Sequence, residues 1–224
     1  LIFLNESFNS PFSSTFLALA LIFVSLIIFN PVFRFFEKLA SKYFYYTFYS
    51  YQKVIKELGQ KLSRILDIEK LSQLLGETLI NTLKIEQLAI IKIEKDNYEV
   101  LKIKGLEEEK LLSLLKNTKF LEYLAKFKKA LGQNELSSIE KEIENIEKKT
   151  ELEEIREKMK ENKIDLALPL FHKKKIIGLI LLGKKISGNP YSREDIELLT
   201  TLAAQASIAF QNAFLYSEIE RRRA

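Results

Sequence analysis

The 224-residue chain has no cysteine, no tryptophan, one methionine and one histidine, His172. The absence of thiols excludes a disulfide framework, a zinc–thiolate site, a thiol nucleophile and a thioether-linked chromophore. One histidine excludes the usual multi-histidine metal sites, and placed in a hairpin turn it cannot serve a Ser-His-Asp set. Glycine and proline are also scarce, at seven and four residues. That scarcity excludes collagen-like or linker-dominated architecture and favours long helices. Hydrophobic residues make up 47% of the chain, so it has the apolar surface that a disordered chain lacks.

Charge is missing from the front of the chain. No Asp, Glu, Lys or Arg occurs between Glu6 and Arg34. Residues 15–33 form an almost wholly apolar run, long enough for a transmembrane helix, which needs about 20 such residues. A signal peptide would need a basic start and a small-residue cleavage site. Here the start is acidic, and the far side is basic and aromatic. Residues 1–33 carry no Lys or Arg, whereas 34–64 carry Arg34, Lys38, Lys42, Lys53, Lys56, Lys61 and Arg64 against Glu37 and Glu57. This asymmetry places the C-terminal side in the cytoplasm and residues 1–14 outside. Residues 34–51 read as a juxtamembrane elbow, because Tyr43–Tyr51 is dominated by aromatic rings that favour the headgroup region. Anionic membrane lipid accounts for the basic stretch better than nucleic acid does.

Two helices look built for pairing. Tyr51, Ile55, Leu58, Leu62 and Ile65 follow the 4-3-4-3 spacing of a coiled-coil seam. Asp67 starts a second helix with Leu71, Leu74, Leu75, Leu79 and Leu83 on its apolar face. Near the other end, Ser192 and Asp195 form a capping box that opens a long helix. That helix carries two apolar stripes: Leu199, Ala203, Ala206, Phe210 and Ala213, and Leu198, Leu202, Ala209 and Tyr216. Two stripes require two neighbours. One is the domain's own sheet; the other is expected to be a second copy of the chain, with an intramolecular partner as the alternative. Arg221-Arg222-Arg223 carries no stop signal, so residues 218–224 are expected to begin an output linker helix.

The middle reads as α+β. Leu88–Ile93 and Tyr98–Lys104 form a hairpin, with Leu101 and Ile103 expected on one face. Ile164–Phe171 and Lys175–Lys184 form another, with His172 in the turn as an ordinary exposed residue. The run Ile176–Leu182 has the continuity of a central strand buried on both faces. Gly178 and Gly183 mark close backbone approach or a bulge. Helices are expected over 107–115, 120–129 and 137–162. The last of these has Ile139, Ile143, Ile146, Leu152, Ile155 and Met159 on its inner face, and its charges suit a solvated outer face. No catalytic constellation, metal cluster or phosphate loop emerges, and no cofactor is identified.

Three segments carry a family resemblance. They are Ile164-Asp-Leu-Ala-Leu-Pro-Leu-Phe171; Ile177-Gly-Leu-Ile-Leu-Leu-Gly-Lys-Lys185 running on to Pro190-Tyr-Ser192 and Glu194-Asp195; and Leu202-Ala-Ala-Gln-Ala-Ser-Ile-Ala209 with Asn212-Ala-Phe-Leu-Tyr216. Together they resemble the second half of a GAF domain, which would span residues 52–217 with its flanking helices. With the membrane span and aromatic elbow in front, the order is similar to that of membrane-bound bacterial sensor histidine kinases. The resemblance implies a bacterial cytoplasmic-membrane location with the GAF domain on the cytoplasmic side. It implies a homodimer joined through terminal helices, and a response regulator as partner if a kinase follows. It also implies a six-stranded antiparallel sheet, one face packed on the first and last helices. The other face would form a small-molecule pocket near residues 105–135. Bilin attachment usually needs a cysteine and haem a histidine, and the family's cyclic-nucleotide motif has no match, so the ligand stays unnamed. A stand-alone membrane scaffold and the regulatory input of a cyclic-dinucleotide synthase are the alternative readings.

Overall fold

The computed structural model describes Leu19, Ile22, Phe23, Ser25, Phe29, residues 31–35, and residues 52–223 except Asp96, Asn117 and Glu144. The chain divides into two compact units, Leu1–Ser50 and Tyr51–Ala224. In the first unit the described residues are helical and exposed. Most of the expected span over 15–33, and all of 1–14 and 36–51, lie outside the described residues.

The second unit is built on one antiparallel sheet. Helix α1 covers residues 52–62. It is followed by α2 (Ile68–Leu83), β1 (Leu88–Glu94), β2 (Asn97–Lys104), α3 (Glu108–Leu115), α4 (Thr118–Phe127) and β3 (Leu131–Gly132). Then come α5 (Gln133–Glu142), α6 (Ile146–Glu161), β4 (Leu166–His172), β5 (Lys175–Leu182) and α7 (Arg193–Arg223). The strand order is β2-β1-β5-β4-β3. The continuous apolar run of β5 therefore occupies the centre, as its sequence predicts. Five strands are present among the described residues, not six. The segment after the two-residue edge strand β3 goes straight into helix α5.

Alternation along the strands divides the core. Leu88, Ile90, Leu166, Leu168, Ile180 and Leu182 face α1, α2 and α7. Ala89, Ile91, Ala167, Leu179 and Leu181 face α3 to α6. Leu101 and Ile103 do not share a face. The register steps from Ile90↔Lys102 to Ile91↔Val100, so Leu101 is a bulge residue. It packs with the first core, whereas Ile103 packs with the second. A matching bulge lies between Leu170 and Phe171. Gly178 borders it, where a Cβ would stand 3.0 Å from the Ile91 carbonyl oxygen.

The helix starts follow local chemistry. The Asp67 carboxylate accepts from the amides of Glu69 and Lys70. The backbone N–H of Lys70 holds its carboxyl below the usual range. The Ser192–Asp195 capping box is present, the Asp195 amide donating to Ser192 Oγ at 3.2 Å and the Ser192 amide to Asp195 Oδ2 at 2.8 Å.

The expected helix over 137–162 is two helices. Ile143 is extended at the end of α5, and the Asn145 side chain accepts from the Lys148 amide at 3.1 Å, opening α6. Asn145 thus competes with the continuing helix by acting as a cap. Ile146, expected on the inner face, is 81% exposed, while Leu152, Ile155 and Met159 are buried as expected.

Candidate functional site

The sheet face under α3 to α6 is where the family resemblance implies a ligand pocket. Here it is filled. Leu111, Phe120, Leu124, Leu136 and Met159 are fully buried against Ala89, Ile91, Ala167 and Leu179. A cleft of about 550 Å3 opens between α4 and α6, on a different face of α4 from that carrying Phe120 and Leu124.

The residues that carry the motif at Tyr191–Asp195 act as a clamp. Tyr191 donates its hydroxyl to the Gly183 carbonyl at 2.7 Å. Lys185 pairs with Asp195, and its ammonium lies 5.0 Å from the centre of the Tyr191 ring. Asp195 is nearly buried, and its Oδ2 also accepts from the Ser192 amide. Through these contacts it holds the start of α7 to the segment just after β5. Among the described residues, no three His, Cys, Asp or Glu side chains converge as a metal would require.

A second set of bonds ties the middle of α7 to β4. Ser207 Oγ accepts from the Phe171 amide at 3.0 Å and donates to the Ala203 carbonyl at 2.7 Å. His172 is the last residue of β4, partly buried, and its Nε2 lies 3.3 Å from Gln211 Nε2. Sequence reasoning placed it in an exposed turn; the turn is Lys173-Lys174, one position later.

The terminal helices pack together within one chain. Ile55, Leu58 and Leu62, the residues read as a coiled-coil seam, are buried in the same core as Leu202, Ala209 and Phe210. The helix ends at residue 62, so Ile65 lies beyond it. Gly59 is where α1 meets α7: a Cβ there would overlap the Gln205 side-chain oxygen. The first α7 stripe, Leu199–Ala213, is buried as expected. Most of the second stripe is covered by helices of the same chain, not left for a copy. The uncovered face is a third one, with Ala204, Ile208, Leu215 and Ile219 exposed. Ile208 is 59% exposed and Leu215 49%. By length and composition α7 is apolar enough to cross a membrane, but its packing against the sheet makes it a core helix.

The profile of the GAF domain family matches residues 66–211. No curated protein matches the chain. Among solved structures, the chain is similar to the GAF domain of a protein described as a sensor histidine kinase from Pseudomonas syringae pv. tomato. The TM-score is 0.50 at 13% identity, covering 81% of this chain and 99% of that one. Residues 122 to 287 of a methyl-accepting chemotaxis protein superpose with a TM-score of 0.50 at 15% identity, covering 71% and 98%. The GAF domain of a phosphoenolpyruvate-protein phosphotransferase from Coxiella burnetii does so with a TM-score of 0.50 at 11% identity, covering 75% and 96%. At these identities the likeness concerns the fold.

Proposed function

The chain belongs to the GAF domain family, and on that premise we propose that it is the sensory and signal-transmitting module of a membrane-anchored receptor, the input part of a sensor histidine kinase. The domain sits on the cytoplasmic side of the bacterial membrane, held by the span over 15–33 and by lipid contacts of the basic, aromatic segment after it. It works as a homodimer, and a response regulator receives its output. The mechanism is conformational: a signal biases the packing of α7 in the dimer, and α7 carries that bias onward.

One observation carries this reading. The outer face of α7 leaves Ala204, Ile208, Leu215 and Ile219 uncovered, while Ser207 and Gln211 tie the same helix to β4. A helix anchored to its own sheet on one side and apolar on the other is suited to relay a shift of the domain to a paired helix.

The natural lack of cysteine makes the test direct. A Leu215→Cys variant, oxidised in native membranes, is expected to give a covalent dimer in high yield. Lys174→Cys, on the exposed β4–β5 turn, is expected to give little. Equal yields at the two positions would remove the pairing idea. The kinase assignment is checked separately by the coding sequence after residue 224: it requires a helix pair bearing a phospho-acceptor histidine and an ATP-binding domain.

A further inference from the structure

The cleft between α4 and α6 has the makings of a binding site that lies apart from both the sheet and the outer face of α7. Its apolar lining comes from Tyr123 and Phe127 on α4 and from Leu152 and Ile155 on α6. The Tyr123 and Phe127 rings stack with centroids 4.4 Å apart, giving a continuous aromatic wall. Its volume of about 550 Å3 lies within the range of small-molecule sites, about 300–1,000 Å3.

Two features specify the ligand's polar end. The Tyr123 hydroxyl is buried without a hydrogen-bond partner. Burial pushes the phenol up to about 12, so at neutral pH it is a donor. An unmatched buried donor is destabilising, and an incoming acceptor would relieve it. The second feature is charge. Of the ionisable residues lining the cleft, Lys119 and Glu151 pair with each other at 3.5 Å. Lys126 and Lys148 make no ion pair among the described residues, and face one further carboxylate, Glu122. Among the described residues lining the cleft, the balance therefore favours a single negative charge.

We propose that this cleft binds a small amphipathic monocarboxylate, an aryl or alkyl acid, with its apolar body on the Tyr123–Phe127 wall and its carboxylate met by the Tyr123 hydroxyl and by Lys126 and Lys148. The ligand bridges α4 and α6, which cover the sheet face opposite α7. The proposal goes beyond the pairing of α7, and each can fail without the other.

The test is calorimetric titration of the full chain in lipid nanodiscs with phenylpropionate, against empty nanodiscs as the blank. Phenylpropionate is expected to bind above the blank, and its neutral amide more weakly. Tyr123→Phe is expected to weaken binding about tenfold, the size of one hydrogen bond to a charged group, with the melting temperature unchanged or raised. Lys148→Gln, on an exposed side chain, is expected to weaken it several-fold without touching the fold. Heats equal to the blank for the wild type would overturn the proposal. So would wild-type affinity in both variants. A Tyr123→Phe variant that lost binding only by melting earlier would assign the hydroxyl a structural role, and Lys148→Gln then decides: unchanged affinity there also overturns the site.

Discussion

Tyr191 illustrates how a motif residue with no chemistry of its own earns its place. Its hydroxyl closes a buried hydrogen bond to Gly183 beside the Lys185–Asp195 pair. Tyr191→Phe keeps the ring but leaves that carbonyl without its donor. We expect a loss of about 1–3 kcal/mol in urea unfolding. Asp165 points the other way. Burial raises its carboxyl above the ordinary aspartate range, and Lys184 offsets this only in part. A raised carboxyl disfavours the ionised form in the folded state. Its favourable contribution is therefore complete below the unfolded value and is lost as pH rises through the folded one. Asp165→Asn is accordingly expected to raise the urea midpoint at pH 7, with the gain shrinking as the pH falls from 7 through the raised folded value to about 4, the unfolded value, and levelling off below it. A constant difference across that range would refute the assignment. Neither role can be read from the residue's type. The capping of Asp67 and Ser192 can, because donor and acceptor lie within three residues of each other.

Among the elements, α1 and α7 show what periodicity conveys and what it omits. A 4-3-4-3 pattern says that one face of a helix is buried; it does not name the covering partner. The α1 face is covered by α2 and α7 of the same chain. The hairpins were legible because strands of alternating or continuous apolar residues flank a short polar turn. The bulge that moves Leu101 off the face of Ile103 was not, since it depends on pairing with β1. The connection after β2 is another local constraint. Gly105 has a φ of +65°, and a Cβ there would stand 2.5 Å from the Glu86 carbonyl oxygen. Gly105→Ala is expected to destabilise the domain by about 1 kcal/mol or more, measured by thermal or urea unfolding. An unchanged midpoint would mean that the β2–α3 turn relaxes freely.

For the whole molecule, a single sheet serves two cores. Phe120 is fully buried on the side of α3 to α6, and Phe210 on the side of α1, α2 and α7. Each truncation to Ala is expected to cost about 3–5 kcal/mol. Because both cores rest on the same five strands, each variant should still unfold in one transition, with circular dichroism and intrinsic tyrosine fluorescence coinciding. Two separated transitions in either variant would show that the layers fold independently. The same architecture joins α4 and α6 to α7: the intervening sheet is packed on both faces and stitched to α7 at Phe171 and His172.

Much of this protein is set by sequence alone. Helix starts, the two main hairpins, the central position of β5 and the division into buried and exposed faces follow from hydrogen bonds and periodicities that operate over a few residues. The motif at its C-terminal half also carried the family. Tertiary structure decided the rest: which neighbour covers each apolar face, where the bulges fall, and which side chains cover the sheet face under α3 to α6. It also brought Tyr123 and Lys126 on α4 together with Lys148 on α6 around one cleft. The physical reason is that hydrophobic burial is non-directional. It demands that an apolar face be covered, and only the packed fold settles by what.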